Sequence, residues 1–279
     1  KKFFQFKTFF ILMQGKRKKF LVIYFYLCYY YIVLFFRENF KSFFKIFQKF
    51  LGKKRASRTR PELCYNKTMD VWSVIIVLII VVGSVILHEL SHGLVAYWLG
   101  DRTAKDSGRL TLNPIKHIDP YMSILVPVIL YILNAPVFGG AKPVPVNYHN
   151  LKGKEWGMAL VALAGPLTNF LLAFIAFLIG HFSGSIYNIG EMSGFIFREL
   201  VLINLGFMIF NLIPIPPLDG SRILYAISPD PVRKVLDVIE RYGIIIVYAL
   251  ILVFGQVFSS LMINGMNGIL KLFEFVVGG

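Results

Sequence analysis

Charge is scarce in this chain, and where it occurs it is lopsided. Only 16% of the 279 residues are Asp, Glu, Lys or Arg, against 56% hydrophobic. So few ions cannot clothe a soluble domain of this length, so the composition excludes a single water-soluble core and points to a chain that crosses a membrane repeatedly. Acid is scarcer than base, and the formal charge is +15. Spread over a folded surface, that excess would suit nucleic acid. It is not spread: residues 1–68 hold 17 Lys and Arg against 2 acidic residues, whereas residues 69–279 hold 13 of each. Nucleic acid is therefore excluded as a partner, and the lipid bilayer is expected instead. Cysteine is almost missing. Cys28 and Cys64 both lie in the first quarter, so no disulfide framework holds the remainder.

That first quarter differs from the rest of the chain. It has Gly15 and Gly52 as its only glycines and Pro61 as its only proline, and it is dominated by Phe, Lys and Tyr. The apolar run 20–36 behind Lys16–Lys19 reads as an anchor, and Lys41, Lys45 and Lys49 form a stripe suited to an anionic surface. The preferred reading is an extension of the reading frame ahead of a natural start at Met69, since Phe, Lys, Tyr and Ile are what AT-rich DNA encodes. The chain thus divides into a basic extension, 1–68, and a membrane-embedded unit, 69–279.

Val71 to Leu87 is a run of 17 residues without a formal charge, and it leads directly into His88-Glu89-Leu90-Ser91-His92. A span this apolar is expected to cross a bilayer. Ionisable groups inside it are costly, which makes a function their default explanation. Residues i and i+4 share a helix face, so His88 and His92 can offer two imidazoles to one metal ion, with Glu89 beside them as a general base.

Further spans are expected at 157–179, 195–213 and 242–258, with a candidate for the last at 261–277. The run 122–133, between Pro120 and Pro136, is too short to cross and is expected to re-enter. The expected fold class is an all-α polytopic membrane protein of four to six transmembrane helices, with short extended or β segments on the cytoplasmic side. Arg102, Lys105, Arg109, Lys116, Lys142, Lys152 and Lys154 put residues 100–156 in the cytoplasm, and Arg222, Arg233, Lys234 and Arg241 put 214–241 there too. The loop 180–194 has neither Lys nor Arg and faces outward. Two cytoplasmic stretches read as extended: Gly108–Pro114 alternates apolar and polar residues, and the prolines of Lys142–Asn147 forbid a helix.

Two histidines do not complete a catalytic zinc site, which usually has three protein ligands and an open position. His117, His149, His181 and a few carboxylates are candidates. Asp219 is preferred, because the prolines at 214, 216 and 217 break a helix where a carboxylate can lie in protein or in a wet cavity.

At this point the chain resembles the site-2 protease family of intramembrane zinc metalloproteases. The resemblance is carried by HELSH at 88–92, by Ala164-Gly165-Pro166 with Asn169, and by Asn211 through Gly220, in matching order from residue 70 to about 228. It implies His88, His92 and Asp219 as ligands of one Zn2+, Glu89 as catalytic base, and Asn211 as a contact to substrate backbone. It also implies an integral, multi-pass endopeptidase of the cell membrane, its active site toward the cytoplasm, cutting within or near transmembrane segments of other membrane proteins. The compact spacing resembles the short branch without a PDZ domain. Ser84 departs from members that carry an aromatic residue there. Two alternatives stay open: another membrane metalloprotease completed by Glu191 or Glu199, and an inactive zinc-binding scaffold.

Overall fold

The computed structural model describes residues 71–132, 140–188 and 191–278, and the expectation for residues 1–68 lies outside them. Helix α1 (Val71–Trp98) runs 28 residues, or about 42 Å at the rise of an α-helix, longer than a bilayer core of about 30 Å. A single turn, α2 (Thr103–Asp106), comes after it. Next come a π-helical turn at Pro120–Leu125, capped by the Asp119 carboxylate, and α3 (Val126–Ile132). Together these are too short to cross. The chain then forms α4 (Lys154–Phe182) and α5 (Met192–Asn211), each long and apolar enough to span. Two short helices, α6 (Asp219–Ile227) and α7 (Asp230–Arg241), precede α8 (Gly243–Val276).

The expected spans 242–258 and 261–277 are in fact one bent helix. Its arms Gly243–Ile251 and Val253–Val276 meet at 85°, around a non-helical Phe254 (φ −111°, ψ 25°). Among the described residues three helices are long and apolar enough to cross, or four if the bent pair is counted as one span.

Among the described residues no strand forms, so the expected β character is not seen. Gly108–Asn113 coils through turns, with Thr111 N–H donating to the Arg109 carbonyl. Lys142–Asn147 is a non-helical strap. Pro143 and Pro145 lack N–H groups, and Arg109 occupies the carbonyls of Lys142 and Pro143, so the two segments do not pair with each other.

Helix α4 sits at the centre. Ala162, Gly165, Asn169, Ala173, Ala176 and Gly180 recur at three- and four-residue spacing and are buried, while Leu160, Leu163, Leu167, Leu171, Ile175 and Ile179 cover the opposite, exposed face. Small residues let neighbouring backbones approach where lipid supplies no hydrophobic drive. The apolar core depends on that approach: Ala173, Ala176 and Phe177 of α4 meet Val201, Leu202 and Leu205 of α5 and Leu270 and Phe273 of α8. A smaller cluster joins Ala96, Leu151 and Val161, with Val146 of the strap packed on it.

Candidate metal centre

One helical turn separates His88 and His92, so α1 alone brings their Nε2 atoms within 3.0 Å, with the rings edge to face at 88°. The close approach of α4 depends on Gly165. A Cβ there would stand 2.5 Å from Cε1 and Nε2 of His88 and 2.5 Å from Cε1 of His92, which no real side chain tolerates. Gly165 is thus explained by contact with the imidazoles. The helix runs unbroken through Pro166, and no loosening of it is needed to account for the pair.

The carboxylate comes from the far end of the chain. After α5 the prolines turn the backbone over, Ile215 N–H bonding the Ile213 carbonyl and Leu218 N–H the Ile215 carbonyl. Asp219 is then the first residue of α6. Its Oδ2 lies 3.2 Å from His88 Nε2 and 3.4 Å from His92 Nε2. On α6, Arg222 pairs with Glu240 of α7, which braces the helix that presents Asp219.

These three atoms fit a zinc ion. Tetrahedral ligands with bonds near 2.0–2.1 Å stand roughly 3.3 Å apart, and the observed separations are 3.0, 3.2 and 3.4 Å. Asp219 Oδ2 is buried and receives no hydrogen bond. The outer nitrogens of both rings are engaged elsewhere. His92 Nδ1 donates to the Val161 carbonyl at 2.7 Å, and His88 Nδ1 lies 2.6 Å from Asn169 Oδ1. A backbone carbonyl only accepts, so His92 Nδ1 carries its proton and Nε2 turns its lone pair inward. Acceptors converging this closely repel one another unless a cation lies among them. Two imidazoles and one carboxylate are a donor set that suits zinc.

Glu89 is half-buried beside the pair. Its Oε2 accepts the Val144 N–H of the strap at 2.9 Å. The strap lies close because Gly93 has no side chain: a Cβ there would meet Leu110 Cδ2 at 2.5 Å and Val144 Cγ1 at 2.9 Å. Arg109 holds the strap from the other side through the carbonyls of Lys142 (2.7 Å), Pro143 (3.2 Å) and Lys116. Asp101, fully buried, takes the Asn147 N–H at 2.7 Å.

The rival ligands stay apart. Among the described residues His88, His92 and Asp219 are the one group that could share a metal ion. His117 is buried, but its Nε2 bonds the Thr111 carbonyl; His149 is exposed; His181 Nδ1 bonds the Tyr187 hydroxyl. Glu191 accepts from Asn188 and Ser193, and Glu199 does not join the group. Asn211 Nδ2 donates to the Phe207 carbonyl of its own helix at 3.0 Å.

Sequence reasoning passes over four contributors. Asn204 lies fully buried behind Asn169, and its signal is an amide inside an apolar span. In the sequence Asp101 marks only a helix end, and Arg109 only an orienting charge. The Val144 N–H carries no side-chain signal at all.

The family model described as "Peptidase family M50" matches residues 76–197 and 185–254. "Putative zinc metalloprotease YwhC" of Bacillus subtilis is 40% identical over 206 residues, covering 71% of this chain and 90% of the relative. "Putative zinc metalloprotease Rip2" of Mycolicibacterium smegmatis is 29% identical over 170 residues, covering 61% of this chain and 63% of the relative. "Zinc metalloprotease MJ0392" of Methanocaldococcus jannaschii is 30% identical over 156 residues, 56% of this chain and 34% of the relative. No solved structure matches. Apolar spanning helices, a converging His-His-Asp group and these matches all agree: the chain belongs to peptidase family M50, the site-2 protease family, and is a zinc metalloprotease of the membrane.

Proposed function

We propose that this chain is an intramembrane endopeptidase that hydrolyses peptide bonds within or near transmembrane segments of other membrane proteins, with its catalytic unit in residues 69–279. The observation that carries the reading is the convergence of His88 Nε2, His92 Nε2 and Asp219 Oδ2 beside Glu89, at the end of an apolar span. In this reading His88, His92 and Asp219 hold the zinc and Glu89 is the base. Bound zinc supplies Lewis acidity, drawing water toward ionisation near neutral pH and taking charge from a polarised carbonyl. Glu89 accepts the proton of the attacking water and returns it to the leaving amine, and the Val144 N–H keeps its carboxylate aimed.

The substrate helix must unwind locally, because its own turns shield its peptide bonds. The Lys142–Asn147 strap or the Gly108–Pro114 segment would supply the edge on which an unwound stretch aligns by strand addition. Asn211, which donates one of its two Nδ2 hydrogens to Phe207, would meet the freed backbone through its Oδ1 and its remaining N–H. Basic residues at 100–156 and 214–241 support a cytoplasmic site in a multi-pass protein of the cell membrane.

The test is cleavage of a membrane-anchored reporter whose transmembrane segment carries the scissile bond. Glu89→Gln should keep its zinc, measured by mass spectrometry, and lose about 10²–10⁴-fold in rate. Asp219→Ala should lose both zinc and cleavage, whereas Glu199→Ala keeps zinc. Full activity in Glu89→Gln would overturn the reading.

A further inference from the structure

Behind His88 runs a line of buried amides that ends on a backbone carbonyl. Asn204 Nδ2 lies 2.8 Å from the Leu200 carbonyl, one turn back on α5. Asn169 Nδ2 lies 2.9 Å from Asn204 Oδ1, and Asn169 Oδ1 lies 2.6 Å from His88 Nδ1. Both asparagines are fully buried, so water cannot substitute for either partner.

The far end of this line sets its polarity. The Leu200 oxygen can only accept, so the Asn204 atom facing it is the NH2 group. Asn204 therefore turns its oxygen toward Asn169, which must answer with its own NH2 group. The Asn169 oxygen is then left for His88, whose Nδ1 must carry the proton. Turning over any one amide sets two donors or two acceptors face to face in a site without water. His88 Nε2 is thereby left with its lone pair pointing at His92 and Asp219.

We propose that Asn204 is a positioning residue for the metal centre: through Asn169 it holds His88 in the one tautomer whose Nε2 can bind zinc. The proposal rests on His88 being a metal ligand. Asn204 touches neither metal nor substrate. Without it the Asn169 amide is free to turn and offer its NH2 group to His88 Nδ1, which favours the Nε2–H tautomer that is closed to a metal.

The experiment uses the full chain in lipid nanodiscs, with zinc affinity measured by chelator competition. Partners that orient a ligating histidine are typically worth 10–100-fold in metal affinity, and Asn204 acts one bond further out, so Asn204→Leu should weaken zinc by about tenfold. Asn204→Thr is the conservative variant. Its hydroxyl can donate to the Leu200 carbonyl and accept from Asn169, which preserves the polarity, so zinc affinity should stay within about threefold of wild type. Nitrogen-15 spectra of the five histidines give a readout that packing alone does not move. In metal-free wild type His88 Nδ1 is protonated, and in Asn204→Leu the Nε2–H form appears.

Wild-type zinc affinity in a folded Asn204→Leu protein overturns the proposal. So does an unchanged His88 tautomer accompanied by equal losses in the Leu and Thr variants. If the Leu variant does not fold, the wild-type spectrum still decides, because an Nε2–H tautomer in wild type is incompatible with the relay. His88→Ala separates ligand from relay: retained zinc there defeats the ligand assignment itself, whereas lost zinc with an unaffected Asn204→Leu defeats only the relay.

Discussion

The buried metal centre and the partly exposed strap beside it both depend on polar contacts, yet they are held by opposite means. At the centre, α1, α4 and α5 are helical, so side chains make the polar contacts between them: His88 to Asn169, Asn169 to Asn204, and His92 to the Val161 carbonyl. In the strap there is no helix and no ladder, so backbone groups stand free and ionised side chains seize them. Glu89 takes the Val144 N–H, Asp101 the Asn147 N–H, and Arg109 the carbonyls of Lys142 and Pro143. Neutral amides suit a membrane interior, where a lone charge is expensive. Charges suit the strap, where hydrogen bonds to an ionised group are about twice as strong as neutral ones. The two systems meet at Glu89, which belongs to the helix of the centre and bonds the strap.

The metal centre is most vulnerable at Gly165. If side-chain contact between helices sets the metal centre, one methyl group at the α1–α4 contact must spoil it. Gly165→Ala places that methyl 2.5 Å from both imidazoles, and the contact is with ring atoms that cannot swing away. Zinc content and reporter cleavage should both fall by about 100-fold or more, on the scale of losing a ligand's orientation, while α-helix content by circular dichroism stays unchanged. Full zinc occupancy in this variant would show that α4 can withdraw, and that the centre is looser than the distances imply.

Much of the centre is legible in the sequence because its decisive spacing is local. Histidines four apart on an apolar helix must share a face, and long, largely apolar runs mark α1, α4 and α5. Asp219 is legible because three prolines mark a break at which a carboxylate becomes tolerable. The rest is a matter of which surfaces meet. Helical periodicity says that Asn169 and Asn204 face inward, but not that they face each other. The strap reads as extended, and its chain is indeed non-helical, but alternation along Gly108–Pro114 cannot reveal that Arg109 occupies the carbonyls a ladder needs. The bend of α8 at Phe254 has no proline to announce it.

The strap gives way less completely, because it lies where water can replace a lost donor. Arg109→Met keeps much of the apolar stem but removes the guanidinium that binds the carbonyls of Lys116, Lys142 and Pro143. Loss of charged hydrogen bonds of this kind costs about 1.5–3 kcal/mol each when no water enters and less when it does. Zinc should remain bound, since no ligand is touched, while cleavage falls about tenfold as the Val144 contact to Glu89 loosens. Limited proteolysis should now cut within 140–147. Loss of zinc together with activity would mean that strap and centre are a single system, held or lost together.

The smallest expected effect, and the one that isolates a single charge, is at Asp101. Burial alone would push its carboxyl up, but the Thr103 hydroxyl, the Asn147 and Thr103 N–H groups and the Asn150 amide together hold it below its ordinary value of 3.8. A carboxyl held low stabilises the fold only while ionised. That contribution is complete above pH 3.8 and is lost as the pH falls through the lower folded value. Asp101→Asn sets an NH2 group against one of the donors and should cost about 1–3 kcal/mol at neutral pH. Thermal unfolding of both proteins, stripped of zinc so that metal release does not intrude, should show a constant difference from neutrality down to about pH 4 and a shrinking one below it. A gap that already narrows near pH 6 would assign the effect to another group. A gap that persists undiminished in strong acid would mean that the Asp101 side chain holds Asn147 by its shape and not by its charge.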